Sequence, residues 1–286
     1  MNELRHQYPV RLMAKVLKVS SSGFYAWLKR PPSQRAMRDE ALAVHIRAAH
    51  KKSRETYGPV RLQRELACQG IRVGRDHIGR LRKALRLICV QRRKYKATTN
   101  SAHGLPVAQN LLEQNFSITE PGRVWGTDIT YIATDEGWLY LAGIKDFASR
   151  EIVGYAMDKR MTKELVRAAL AKALRTRKPR PGCIHHSDRG SQYCALEYLK
   201  DVLAAGMTSS MSRKGNCYDN APTESFWGCL KQELVYRRHF ATRLEAMAAI
   251  QEYIEVFYNR VRISAALGFV APSAYADLFY RERKTA

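Results

Sequence analysis

Three consecutive runs rich in β-branched and aromatic residues, Val124–Ala133, Trp138–Phe147 and Glu151–Lys159, are broken only by short turn segments around Asp135-Glu136-Gly137 and Ser149-Arg150. Connections this short leave no room for a crossover, so the three runs pair as antiparallel neighbours. Beyond them the pattern changes. Thr162–Arg177 has the spacing of an amphipathic helix closed by Lys178-Pro179-Arg180-Pro181, and Cys183–Ser187 reads as a short strand. Leu196–Ala205 is a helix, Met207–Met211 a strand, and a helix starts near Pro222 and runs toward Tyr236. A final long helix carries Leu244, Met247, Ile250, Ile254, Phe257 and Val261.

Three antiparallel strands followed by helix, strand, helix, strand, helix is the order of a ribonuclease-H-like α/β core, a mixed five-stranded sheet with flanking helices, over residues 122–240. Residues 241–286 form a C-terminal helix and tail. Ahead of the core the chain reads as small all-α, helix-turn-helix-like modules. Residues 1–32 hold two short helices around Ser20–Ser22, with Leu12, Val16 and Val19, then Phe24, Trp27 and Leu28, at helical spacing. A plain helical hairpin fits this segment equally well. After Pro31-Pro32 comes a three-helix unit over 37–92. Its first helix runs through Leu42 and Ile46; its second follows Tyr57-Gly58-Pro59 and ends at Gly70. Its third begins near Val73, with Ile78, Leu81, Leu85 and Ile88 on the apolar stripe. Residues 93–121 form a linker that is basic, then polar, and contains Gly-Leu-Pro.

The net charge of +23 is unevenly spread: residues 1–100 carry 24 Lys and Arg against 6 Asp and Glu, residues 101–286 carry 25 against 20. That asymmetry suits a polyanion-binding module joined to a domain of another kind. Arg75, Arg80, Arg82 and Lys83 lie on the third helix of the unit, which suits insertion into a major groove, and Arg92, Arg93 and Lys94 begin a linker able to follow a phosphate backbone. A solvated basic surface is the alternative. The six cysteines show neither CxxC pairing nor tight Cys/His spacing, which argues against a zinc site and favours reduced thiols. No apolar run reaches about 18 residues and no secretory signal opens the chain.

Three acidic residues stand out in the core: Asp128 in VWGTDITYI, Asp188 in HHSDRGSQY and Glu224 in DNAPTESFWG. Asp128 interrupts a strand face of Val124, Gly126, Thr130 and Ile132, where a carboxylate is costly unless paired or metal-bound, although a surface edge strand with the side chain in water would also explain it. Asp188 ends a strand, where α/β sheets expose functional side chains, although an Asx-turn would also explain it. Glu224 lies in a first helical turn, which the helix dipole favours without any further duty. All three reach one edge of the expected sheet. Such a set suits a pair of Mg²⁺ ions, with Asp128 between them and Asp188 and Glu224 one on each side, activating a water or 3′-hydroxyl for phosphoryl transfer. Asp146, Asp219 and Glu233 are the rival acids, the first read as a turn anchor and the second as a loop ligand or cap.

The segments TYGPVRL (56–62), WGTDITYI (125–132), HHSDRGSQY (185–193), SRKGNCYDNAPTESFWGCLKQEL (212–234) and YNRVR (258–262), with Leu267-Gly268 and Pro272, closely resemble the OrfB-type insertion-sequence transposases of the DDE, or retroviral-integrase-like, superfamily. The resemblance covers nearly the whole chain and makes Asp128, Asp188 and Glu224 the expected DDE triad, holding two Mg²⁺ ions with Mn²⁺ as a substitute. It implies a DNA transposase that cuts the ends of its element and joins the freed 3′-hydroxyl to DNA, through a circular intermediate. It implies double-stranded DNA as partner (terminal inverted repeats and target), a dimer or larger assembly, an upstream-frame partner or fusion, no membrane, and a cytoplasmic, nucleoid-associated place in a bacterium. One position departs from the pattern: Ser264 stands where the family commonly has histidine. Arg189, Lys214, Asn216, Tyr218, Asn220, Lys231 and Arg262 are the expected DNA contacts around the triad, with turn geometry or ordinary surface charge as alternatives. A DNA-binding regulator and a nuclease acting on RNA–DNA hybrids are the other classes compatible with these features.

Overall fold

The computed structural model describes residues 1–89, 107–213 and 217–285, without the side chains of 217, 218 and 283–285. The first two helices, α1 (Val10–Val16) and α2 (Ser21–Lys29), form as expected, and the Ser20 hydroxyl caps α2 by accepting from Gly23 N at 3.1 Å. They bury little of their apolar surface: Leu12, Val16 and Trp27 remain more than half exposed. The next three helices, α3 (Gln34–Lys52), α4 (Pro59–Cys68) and α5 (Arg75–Ala84), close around Ile46, Leu62, Leu66 and Ile78. Pro59 starts α4 where a missing N–H costs nothing, and Gly70 follows its end at φ +81°. Ile88, expected on the stripe of α5, lies beyond the end of that helix and is 76% exposed.

The sheet has the order β3-β2-β1-β4-β5. β1 (Val124–Thr134), β2 (Gly137–Asp146) and β3 (Ile152–Asp158) pair antiparallel, and β4 (Ile184–Ser187) and β5 (Thr208–Met211) add parallel to β1. Helices α6 (Lys163–Thr176) and α7 (Leu196–Ala204) cover one face, over Trp125, Ile144, Val153, Leu165 and Leu170. Helices α8 (Ala221–Glu233) and α9 (Arg243–Glu252) cover the other, over Leu139, Leu141, Phe226, Leu230 and Ile250. The α9 helix continues through π-helical turns at Tyr253–Tyr258, and its Leu244, expected on the apolar stripe, is 76% exposed. The C-terminal segment expected as a tail contains a further helix, α10 (Pro272–Thr285).

Two of the quoted motifs meet in space. The Tyr57 hydroxyl donates to the Val261 carbonyl at 3.1 Å and accepts from Ile263 N at 2.8 Å, tying the three-helix unit to the segment after α9. Asn259 is buried and pairs both backbone groups of Ile152, closing an end of edge strand β3. Helix α8 lies close over β1 and β2 because two strand positions carry no side chain. A Cβ at Gly126 would come within 2.2 Å of the Phe147 ring and 2.6 Å of the Thr223 hydroxyl, and one at Gly143 within 2.7 Å of the Trp227 ring. Gly126→Ala and Gly143→Ala should each lower unfolding stability in urea by about 1–3 kcal/mol, the usual cost of overpacking. Gly79→Ala in α5, where a Cβ meets nothing within 4 Å, should instead gain about 0.5–1 kcal/mol.

Candidate active site

Asp128 sits in the middle of β1 opposite Gly143 of β2. Its Oδ2 accepts the indole N–H of Trp227 at 3.0 Å and its Oδ1 accepts Ile129 N at 2.8 Å. Asp188 directly follows β4, the parallel neighbour of β1, and its Oδ1 accepts Gly190 N at 2.9 Å. The Asx-turn weighed from sequence is therefore formed, and the β1–β4 register brings the carboxylate level with Asp128. Glu224 occupies the first turn of α8, one turn before Trp227 on the same side of the helix. Lys145 at the end of β2 donates to the Pro222 carbonyl at 2.6 Å, pinning that end of α8 to the sheet.

The three carboxylates repel one another. Burial, then the charges of Asp188 and, more weakly, Glu224, push the Asp128 carboxyl up to about 8 against the hydrogen bonds from Ile129 and Trp227. Burial and Asp188 push Glu224 up as well. Among the described residues no three His, Cys, Asp or Glu side chains form a ready-made cation cage. The donor set nevertheless fits Mg²⁺, a hard ion that takes carboxylate oxygens, retains water and completes its shell with substrate phosphate. A bound cation would reverse the repulsion that raises these carboxyls.

The rival acids have other partners. Asp146 accepts from Gly122 N, the Trp125 indole, and the N–H and hydroxyl of Ser149, which makes it the anchor of the β2–β3 turn. Asp219 accepts from Asn110, Gln114 and Arg213, and this set outweighs burial to hold its carboxyl down at about 2. Glu233 pairs with Arg262 at 2.8 Å and accepts from the Tyr253 hydroxyl at 2.7 Å.

The expected DNA contacts are dispersed. Arg75, Arg80 and Lys83 are exposed on α5, while Arg82 is half-buried and donates to the Leu87 carbonyl at 3.3 Å. Arg189 donates to the Ser212 carbonyl at 2.7 Å, next to Asp188. Lys231 follows Glu224 by two turns of α8, with Nζ 5.1 Å from the centre of the Tyr131 ring; burial lowers its pKa and Asp128 opposes that. Two residues expected to meet DNA point inward instead. Asn220 is 4% exposed and donates to the Thr127 carbonyl at 3.1 Å, and Arg262 is committed to Glu233 through Nε and Nη2. Arg92, Arg93, Lys94, Lys214, Asn216 and the side chain of Tyr218 lie outside the described residues.

Trp227 is the site residue that sequence reasoning missed. Its signal was available: it follows Glu224 at helical i+3 spacing, opposite a glycine-bearing strand. His185 and His186 also have a structural place there. Burial pushes them down to about 3 and about 4, so both are neutral at physiological pH. The His186 ring bridges the hydroxyls of Ser210 (2.9 Å) and Ser212 (3.1 Å), holding β5 and the Arg189-binding carbonyl against β4.

Because Asp128 is raised from 3.8 to about 8, the unfolded chain releases this proton first. Asp128 should therefore contribute stability to the metal-free protein that is lost as pH rises from about 4 through about 8, while the lowered His185 and His186 contribute the opposite slope below about 6.5. In chelator, the urea stability of the wild type relative to Asp128→Asn should fall across that range, which isolates the Asp128 contribution. Identical slopes would refute the assignment.

Family models match along most of the chain: an HTH-like domain at residues 37–95 and integrase core domains at 118–217 and 224–277. The 31 kDa protein of insertion element IS600 from Shigella sonnei is 56% identical over 94% of this chain and 99% of its own length. Transposase InsF for insertion sequence IS3A from Escherichia coli (strain K12) is 39% identical over 96% of each chain. Among solved structures, the simian T-cell lymphotropic virus intasome in complex with PP2A regulatory subunit B56 gamma aligns at TM-score 0.44 and 17% identity, covering 71% of this chain and 66% of that one. The magnesium complex of the HTLV-2 integrase catalytic core domain, trimeric form, aligns at 0.45 and 14%, covering 55% and 97%. The strand order, the matched domains and the near-full-length identity to InsF agree: the chain belongs to the IS3-type insertion-sequence transposases with an integrase core.

Proposed function

We propose that this transposase uses Asp128, Asp188 and Glu224 to cut the ends of its element and to join the freed 3′-hydroxyl to DNA. The observation that carries the reading is the set of three carboxylates from a strand, a strand end and a helix, with Asp128 and Glu224 raised by burial and by their acidic neighbours, while Asp146, raised by burial, and Asp219 are tied up by hydrogen-bond donors. Two Mg²⁺ ions, or Mn²⁺ in their place, would supply the charge that stabilises the attacking and leaving oxygens of an in-line displacement. The chain's own residues do the positioning. Trp227 and Ile129 N–H orient Asp128, Gly190 N orients Asp188, and α8 sets the reach of Glu224. The side chains of Arg189 and Lys231 flank these acids and suit the scissile strand's phosphates.

The exposed Arg75, Arg80 and Lys83 of α5, continued by Arg92, Arg93 and Lys94, are assigned to the terminal repeats. A circular product, an assembly of at least two subunits that brings both ends together, and an upstream-frame partner belong to the same proposal. No helix among the described residues is long and apolar enough to cross a membrane. Oligonucleotides carrying the terminal sequences that flank the gene should be cleaved and joined in Mg²⁺ or Mn²⁺. Glu224→Gln should lower both steps by at least about a hundredfold while DNA binding persists. Joined products from that variant at wild-type rate would overturn the assignment.

A further inference from the structure

A cavity of about 410 Å³ lies where the three-helix unit meets the core. Arg61 of α4 enters it from the helical unit; Lys145 and Arg150 enter it from the end of β2 and the β2–β3 turn, and Arg262 from the segment after α9. The acid on the wall, Glu233, is already bound to Arg262 by a nearly buried pair, with side chains 8% and 12% exposed. One carboxylate thus faces four cations. Arg61 is half-buried, with its guanidinium 5.7 Å from the centre of the Tyr57 ring, and its pKa is lowered by burial and by the like charge of Arg262, against the weaker opposite effect of Glu233. Like charges gathered around a cavity oppose folding unless an anion joins them.

The remaining wall bears on what that anion is. Gly228 of α8 lines the cavity and stands one turn beyond Glu224 on the same side of the helix. Ser264 lines the cavity too. An anion held here is therefore a neighbour of the candidate active site, gripped from the helical unit on one side and from the core on the other.

We propose that this cavity binds a phosphate group, and that its source is a backbone phosphodiester of the DNA presented to Glu224, shared between Arg61 and Arg150. One phosphate then couples DNA binding to the docking of the three-helix unit on the core. The phosphate chemistry stands on the cavity; the DNA source rests on the functional reading above.

The test uses the full chain carrying Glu224→Gln in chelator, so that no cleavage is needed, and a labelled duplex of the DNA flanking the gene. Each phosphate contact contributes about 0.9 to the slope of log affinity against log salt. Arg61→Gln and Arg150→Gln should each flatten the slope by about 0.9, and the double variant no further, because both hold one phosphate. Arg80→Gln on α5 should add to either. Thermal unfolding checks that each variant is folded; if Arg61→Gln is not, Arg150→Gln with the pyrophosphate arm decides. In that arm, pyrophosphate should stabilise the parent protein and abolish its slope difference from Arg150→Gln. Unchanged slopes, or a double variant that loses about twice the single, would overturn the shared phosphate. Stabilisation by pyrophosphate that depends on Arg150, together with an unchanged DNA slope, would assign the cavity to free phosphates and overturn the DNA source. Loss of strand joining in the wild type would refute the catalytic reading and leave these slopes readable.

Discussion

The candidate site depends on how closely α8 can approach the sheet. Gly126 and Gly143 leave a floor without side chains, and Trp227 and Thr223 fill it. With the indole against β2, its N–H reaches Asp128 on β1 at 3.0 Å. The same contact sets the position of Glu224, one helical turn earlier, so the strand that carries one acid and the helix that carries another share a single register. Helix α9 and the π-helical turns back α8 from the far side through Tyr253, Phe257 and Tyr258, and Arg262–Glu233 locks the end of α8 to the segment that follows.

Electrostatics separates acids that composition treats alike. Asp219 and Asp128 are the same residue type in one domain, yet one is held near 2 and the other rises to about 8. Burial opposes ionisation in both cases. Asp219 has Arg213 and two amide side chains as donors, whereas Asp128 has an indole and a backbone N–H, with two more carboxylates in reach. A strongly basic protein thus contains a small acidic pocket, which repels DNA phosphate unless a cation intervenes.

The core was legible because short turns and β-branched runs leave few ways to pair strands. The first three strands begin and end within one residue of their sequence-derived limits. Where the reading slipped, a local pattern was read past the end of its element or a distant partner intervened. Ile88 kept helical spacing after α5 had stopped, and α10 lay in a segment without a clean apolar stripe. Arg262 and Asn220 looked like DNA ligands because their residue types suit phosphate and base; Glu233 and the Thr127 carbonyl had already engaged them.

The sequence by itself determined the order of strands and helices, the basic helical unit ahead of the core, and a short list of acids able to hold a hard cation. These follow from periodicity, turn length and charge, which are local along the chain. Only the tertiary structure decided which acids are anchors and which are raised and mutually repelling. A carboxylate's state is set by the donors and charges around it, and those come from far away: Asn110 and Gln114 to Asp219, Trp227 to Asp128, Asp188 to Glu224.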